Sequence, residues 1–138
     1  MFNKINISID DITPHPNASL DVLDRCYELI GIFPDIKFTL FVPMAYYRTV
    51  PIPSHIPMCE SPMNIDNYPD FCKTLLDLPD SNFELGYHGL HHGIEKRSNN
   101  DEFRYLSYED SFSKFKKMEN IAEKAGIKDK MGLVFRPP

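Results

Sequence analysis

The chain has 138 residues, of which 42% are hydrophobic, 25% charged and 12% aromatic, a composition typical of one globular domain. This profile excludes a disordered or collagen-like chain. The formal net charge of -5 gives no general attraction to phosphate backbones or anionic lipid, so we expect neither nucleic-acid binding nor membrane insertion.

The first predicted elements are a strand, a helix and a second strand. Ile5–Ile9 is a short run rich in β-branched residues, and Asp10-Asp11 follows it directly. Apolar residues then recur at intervals of three and four, which predicts a helix from Asn17 to Gly31. Lys37–Val42 is almost continuously apolar up to Pro43, as expected for a strand covered on both faces.

A long loop is predicted from Pro43 to Asp66, because five prolines interrupt regular hydrogen bonding there. Loops longer than about 15 residues in a compact domain are usually functional or disordered. This one contains Tyr46 and Tyr47 among other apolar residues, so we expect it to cover a site. The two tyrosines can either contact a ligand or anchor the loop.

The second half of the chain repeats the alternation of helix and strand. A second helix is predicted to start at position 66 or 67 and to end before Pro79, followed by a third strand over Phe83–Tyr87. Helical spacing and a capping start predict a third helix from Ser107 to Gly126. Met131–Phe135 is the fourth predicted strand.

Such alternation predicts an α/β fold with a parallel sheet, in which the carboxyl ends of the strands meet at one edge. Asp10-Asp11 ends strand one, His88 ends strand three and Arg136 ends strand four. These polar side chains are therefore expected to lie at the same edge of the sheet.

The residue types at this edge are those of a metal site. The sequence around strand three, His88-Gly-Leu-His-His92, places two imidazoles four residues apart, on one side of the chain if the backbone turns helically. Asp10-Asp11 alone is more often a turn or helix start; beside a histidine pair it offers an oxygen ligand. One oxygen and two imidazole nitrogens with an open position are typical of a catalytic divalent ion, with zinc the easiest occupant.

These motifs resemble those of the NodB-type polysaccharide deacetylases. The likeness lies in Ile9-Asp10-Asp11, in His88-x-x-x-His92 and in Phe135-Arg136-Pro137-Pro138, the opening of an RxPxG motif. It extends from Ile5 to Pro138. The family has Ser or Thr after the first motif histidine, where this chain has Gly89.

The resemblance implies a deformed (β/α) barrel and a set of roles. Asp11, His88 and His92 would hold the metal, Asp10 would be the general base, and Arg136 would pair with Asp10 and orient it. The family's later motifs, which include a general-acid histidine, have no counterpart up to Pro138. We therefore expect residues 1–138 to be one incomplete catalytic domain, the N-terminal part of a longer protein.

The predicted function is a metal-dependent hydrolase that removes acetyl groups from amino sugars of a glycan or glycan precursor by attack of activated water. Tyr46, Tyr47 and His15 are its candidate substrate-binding residues. The alternative is a relative that binds a metal or carbohydrate without catalysis. No apolar run approaches the roughly 20 residues of a membrane helix and no signal peptide precedes the first strand, which predicts a cytoplasmic protein.

Overall fold

The structure, a computed structural model, describes residues 6–16, 20–51 and 57–138. It has the predicted α/β organisation. The strands are β1 (Asn6–Ile9), β2 (Lys37–Val42), β3 (Ala45–Tyr46), β4 (Met63–Asn64), β5 (Phe83–Tyr87) and β6 (Met131–Phe135), and the helices are α1 (Val22–Ile32), α2 (Pro69–Asp77) and α3 (Tyr108–Lys124). Among the helices in these ranges, none has both the length and the apolar character needed to cross a bilayer.

The four predicted main strands are confirmed, and the helix boundaries differ by a few residues. The predicted starts at Ile5 and Asn17 lie outside the described residues. The second helix begins later than predicted, at Pro69, after a separate 3-10 turn. Tyr68 precedes Pro69 and has φ -126° and ψ 73°, because proline excludes its predecessor from the α region. Proline itself suits the first helical position, which needs no N–H.

The third helix follows its prediction closely. Ser107 caps it, and its side chain accepts a hydrogen bond from the backbone N–H of Asp110 at 3.1 Å. At the other end, Gly126 has a φ of 72°, the left-handed conformation that stops a helix. Because both end signals are local in sequence, this element could be predicted without tertiary information.

The predicted loop between Pro43 and Asp66 is not irregular throughout. β3 and β4 form a two-stranded antiparallel sheet within it, with Ala45 opposite Asn64 and Tyr46 opposite Met63. The prolines lie outside these pairs, so each paired residue keeps its backbone N–H. The first of these strands continues directly from β2 with only two residues between them.

The main sheet has the strand order β1-β2-β5-β6, and all its pairs are parallel. Consecutive main strands are therefore neighbours, each pair joined through a helix. This arrangement brings the residues that follow each strand to one edge of the sheet, as predicted.

One hydrophobic core lies on the helical side of the sheet. It combines Phe38, Leu40 and Val42 of β2 with residues of all three helices, including Leu75 of α2 and Met118 of α3. The alternate strand residues form a polar row on the other face, where the Asn6 amide donates to Thr39 Oγ1 at 3.2 Å and the Thr39 hydroxyl lies 3.4 Å from Glu84 Oε2. The three helices of the described residues thus pack on the same face of the sheet.

Candidate metal centre

Three predicted ligands converge at the carboxyl end of the sheet. Nε2 of His92 lies 2.9 Å from Oδ1 of Asp11, and Nε2 of His88 lies 3.6 Å from the same oxygen. The two Nε2 atoms are 3.2 Å apart. The imidazoles are nearly buried, with side-chain exposures of 4% for His88 and 9% for His92, whereas that of Asp11 is 40%. Asp11 therefore leaves one side of the cluster open to solvent.

Backbone carbonyls fix the tautomers of both histidines. Nδ1 of His88 is 2.9 Å from the carbonyl oxygen of Arg136, and Nδ1 of His92 is 2.5 Å from that of Asn99. Because a carbonyl oxygen only accepts, each Nδ1 carries the hydrogen, and each neutral ring has its lone pair on Nε2. The two lone pairs and the carboxylate oxygen therefore face one another, an arrangement that a cation would stabilise. Metal-bound histidines usually donate their other N–H in this way.

The Asp11 carboxylate is a second feature that fits a bound cation. Its Oδ1 is buried and receives no hydrogen bond of acceptable geometry, even though His92 Nε2 is so near. Asp11 also has a φ of 60°, a left-handed conformation that aspartate tolerates better than most residues. The donor set of one carboxylate and two imidazoles fits zinc or a similar divalent ion.

Burial and charge act in opposite directions on these three groups. Burial raises the pKa of Asp11, but the neighbouring His92, His88 and Arg48 outweigh it, and the pKa is lowered overall. Burial lowers the pKa of His88 below its ordinary value. Burial also lowers the pKa of His92, but contact with the Asp11 carboxylate outweighs that effect and raises it above 6.5.

Metal binding is therefore expected to weaken as the pH falls. His92, whose pKa is raised in the metal-free protein, must lose its proton before Nε2 can bind an ion. Below that pKa, competition with one proton lowers the zinc affinity about tenfold per pH unit. Titrations with zinc between about pH 8 and about pH 5.5 measure this slope. A zinc affinity that stays the same over this pH range would contradict the assignment of His92 as a ligand.

The predicted Asp10–Arg136 pair is present beside the cluster. Nη1 of Arg136 donates to Oδ1 of Asp10 at 2.7 Å, and its guanidinium lies 4.3 Å above the centre of the Phe41 ring. Phe41 occupies this place because the neighbouring strand has Gly86, where a Cβ would approach the ring to 2.7 Å. Arg136 thus orients Asp10 through its side chain and His88 through its carbonyl oxygen.

The segment joining the two candidate histidine ligands is not the helical turn assumed from their spacing. Gly89 and His92 have φ values of 86° and 73°, so the chain folds through two left-handed residues. A histidine in this region is uncommon and carries a cost that surrounding contacts must offset. The carbonyls of Gly89 and Leu90 accept hydrogen bonds from the backbone of Met44 and Ala45.

The three candidate substrate-binding residues lie around the cluster in different ways. Tyr46 is buried, with its ring 6.0 Å from that of His92, and His15 is also buried, 5.7 Å from Tyr46. Nε2 of His15 is 3.2 Å from the carbonyl oxygen of Pro57. Tyr47 is partly exposed and packs against His91 at 6.0 Å. Burial favours Tyr46 and His15 as part of the wall, whereas Tyr47 retains surface for a ligand.

His91, the middle histidine of the motif, points away from the other two. Nδ1 of His91 lies 2.9 Å from the carbonyl oxygen of Ala45, and its ring packs on Tyr47. It does not belong to the metal-ligating cluster found among the described residues. These two contacts direct the His91 ring away from the three candidate ligands.

Three residues that support the site have no evident signal in the sequence. Asn99 supplies the carbonyl that binds His92, and Arg48 donates from Nε to Tyr46 Oη at 3.1 Å. Arg48 Nη1 is buried without a hydrogen-bond partner in the structure. Glu102 is buried behind the histidine segment. All three lie in stretches without periodicity, so only the tertiary structure identifies them.

Comparisons with known proteins add no relative: no protein-family model matches the chain, and searches of curated proteins and of solved structures returned no match.

Proposed function

We propose that this chain has the metal centre of a zinc-dependent deacetylase that removes acetyl groups from N-acetylated sugars of a glycan or glycan precursor. The observation that carries the proposal is the convergence of Asp11 Oδ1 with Nε2 of His88 and of His92, all within 4.8 Å of one another. The resemblance of the same residues to the NodB-type motifs supports the reaction class.

We further propose that the sheet is part of a deformed (β/α) barrel. In a doubly wound sheet the strand order reverses and helices cover both faces. Here the order β1-β2-β5-β6 follows the chain without reversal, and the helices pack on one face. Both features are typical of a singly wound, barrel-like arrangement, whose active sites lie at the carboxyl ends of the strands.

Asp11, His88 and His92 would hold the ion. When bound, a divalent ion polarises a carbonyl oxygen and lowers the pKa of water. The carboxylate of Asp10, which is not one of these three ligands, accepts a proton from the attacking water. Arg136 holds Asp10 in place for this role through the bond of 2.7 Å between Nη1 and Oδ1.

As the C–N bond breaks, the departing amine nitrogen must gain one proton, which balances the proton that Asp10 takes from the attacking water. Two substrates therefore separate the attack of water on the acetyl group from the protonation of the leaving group. An aryl acetate loses a phenolate that needs no proton, whereas an N-acetylated sugar loses an amine that does.

The proposal predicts zinc-dependent release of acetate by the purified chain. Acetate is measured with an aryl acetate and with chitooligosaccharides, in the presence of zinc and after chelation. We expect turnover of the aryl acetate in the presence of zinc and its loss after chelation. Stoichiometric zinc binding without acetate release from either substrate would instead support the non-catalytic binding relative. A cytoplasmic location, which favours a precursor glycan as substrate, stays a prediction.

A further inference from the structure

The segment that carries the two histidine ligands is held from both sides. On one side, the carbonyls of Gly89, Leu90 and His91 accept hydrogen bonds from the backbone N–H groups of residues 44, 45 and 47. On the other side, three consecutive N–H groups, those of residues 90 to 92, are directed at a single carboxylate. That carboxylate belongs to Glu102, which lies between β5 and α3.

The geometry at Glu102 is that of a buried anion in a backbone cradle. Its Oε2 accepts from the N–H of Leu90 at 2.8 Å and from that of His92 at 3.1 Å. The N–H of His91 is 3.0 Å from Oε1 and 3.1 Å from Oε2. Consecutive N–H groups arranged in this way form an anion-binding concavity.

A lysine of α3 neutralises the buried charge. Nζ of Lys114 lies 2.9 Å from Oε1 of Glu102, whose side chain is 1% exposed. A buried carboxylate without such a partner would be strongly unfavourable. The lysine is itself only 24% exposed, so the ion pair fixes the histidine segment to the third helix.

The cradle also accounts for the glycine after the first histidine ligand. A Cβ at Gly89 would lie 2.5 Å from Oε2 of Glu102, and the φ of 86° is unfavourable for any other residue. The space that a side chain at this position would need is therefore occupied by the Glu102 carboxylate.

We propose that Glu102 is a positioning residue of the metal centre, which holds the backbone of residues 90 to 92 so that Nε2 of His88 and Nε2 of His92 meet Asp11. This inference rests on the proposed metal centre. The carboxylate is needed because it only accepts hydrogen bonds, whereas a glutamine would turn an NH2 group towards one of the converging donors. Lys114 contributes by fixing the carboxylate.

The test compares the wild-type chain with Glu102→Gln and Lys114→Met. We expect Glu102→Gln to lower the zinc affinity by about 10- to 100-fold, the range found when residues supporting metal ligands are changed. The visible spectrum of the cobalt-substituted variant should differ from that of the wild type, because the coordination geometry changes. In the metal-free variant, the amides of residues 90 to 92 should exchange hydrogen faster. Lys114→Met should shift all three measurements in the same direction by a smaller amount.

Asn82→Ala is the matched control. Asn82 is also buried, and its amide donates to the carbonyls of Pro34 and Ile36 at 2.8 and 3.0 Å, just before β2 and β5 and away from the carboxyl ends of the strands. Its loss should lower the stability but leave the zinc affinity and the cobalt spectrum unchanged. If Glu102→Gln does not fold, Lys114→Met and its amide exchange carry the test.

The outcomes separate this inference from the proposed function. Wild-type chain that binds no zinc would overturn the metal centre and this proposal with it. Wild-type chain that binds zinc, together with variants at Glu102 and Lys114 that bind it equally well and keep the cobalt spectrum, would overturn the positioning role alone.

Discussion

Replacing His88 or His92 by alanine is expected to abolish high-affinity zinc binding. The zinc affinity should fall by more than the roughly 100-fold seen when a residue that supports a metal ligand is replaced. Each variant removes one of the two imidazoles whose Nε2 atoms lie 3.2 Å apart beside Asp11. The remaining imidazole and carboxylate provide only two ligands, whereas catalytic zinc sites have three from the protein. Competition with a chromophoric chelator measures the affinity, and metal analysis after gel filtration gives the zinc content per chain.

His91→Ala is the control for these variants. It removes an imidazole from the same segment, but one that is directed at the carbonyl of Ala45 and packs on Tyr47. We expect it to bind zinc with the wild-type stoichiometry. Retention of one zinc per chain by the double variant His88→Ala, His92→Ala would refute the ligand assignment.

Asp10→Asn is expected to leave zinc bound and to lower the rate of acetate release by about 10²- to 10⁴-fold, the range of a general base. The substitution keeps the size of the side chain and an oxygen that can accept from Arg136. It removes the basic carboxylate beside the cluster, while Asp11 and both histidines are unchanged. The measurement is the single-turnover rate at which the zinc-loaded variant releases acetate from the aryl acetate.

A carboxylate far from the site provides the comparison for this variant. Asp35 is exposed in the turn before β2, at the opposite end of the strands, so Asp35→Asn should keep the wild-type rate. If Asp10→Asn released acetate as fast as Asp35→Asn, another group would have to accept the proton.

Much of the fold could be predicted because its signals are local. Hydrophobic runs and alternation located the four main strands, and capping residues located the ends of α3. The parallel topology then brought Asp10, Asp11, His88 and Arg136 to one edge without any knowledge of side-chain positions. The predicted start of α2 was too early because Pro69 keeps Tyr68 out of the α region, so the helix cannot include the residues before it.

The fine structure of the site depends on contacts distant in sequence. The histidine spacing suggested a helical turn, but the chain instead folds through left-handed residues at Gly89 and His92. That conformation is stabilised by Glu102 and by the β3 segment, neither of which has a periodic pattern pointing to the histidines. The short pairing of β3 with β4 was likewise not predicted, because the surrounding prolines indicated an irregular loop.

The most direct test of the metal centre is anomalous diffraction at the zinc absorption edge from crystals of the chain grown with zinc. We expect one strong peak at about 2.0 to 2.2 Å from a carboxylate oxygen of Asp11 and from Nε2 of His88 and His92. A peak at another place, or these three side chains turned away from a common centre, would contradict the proposed metal centre.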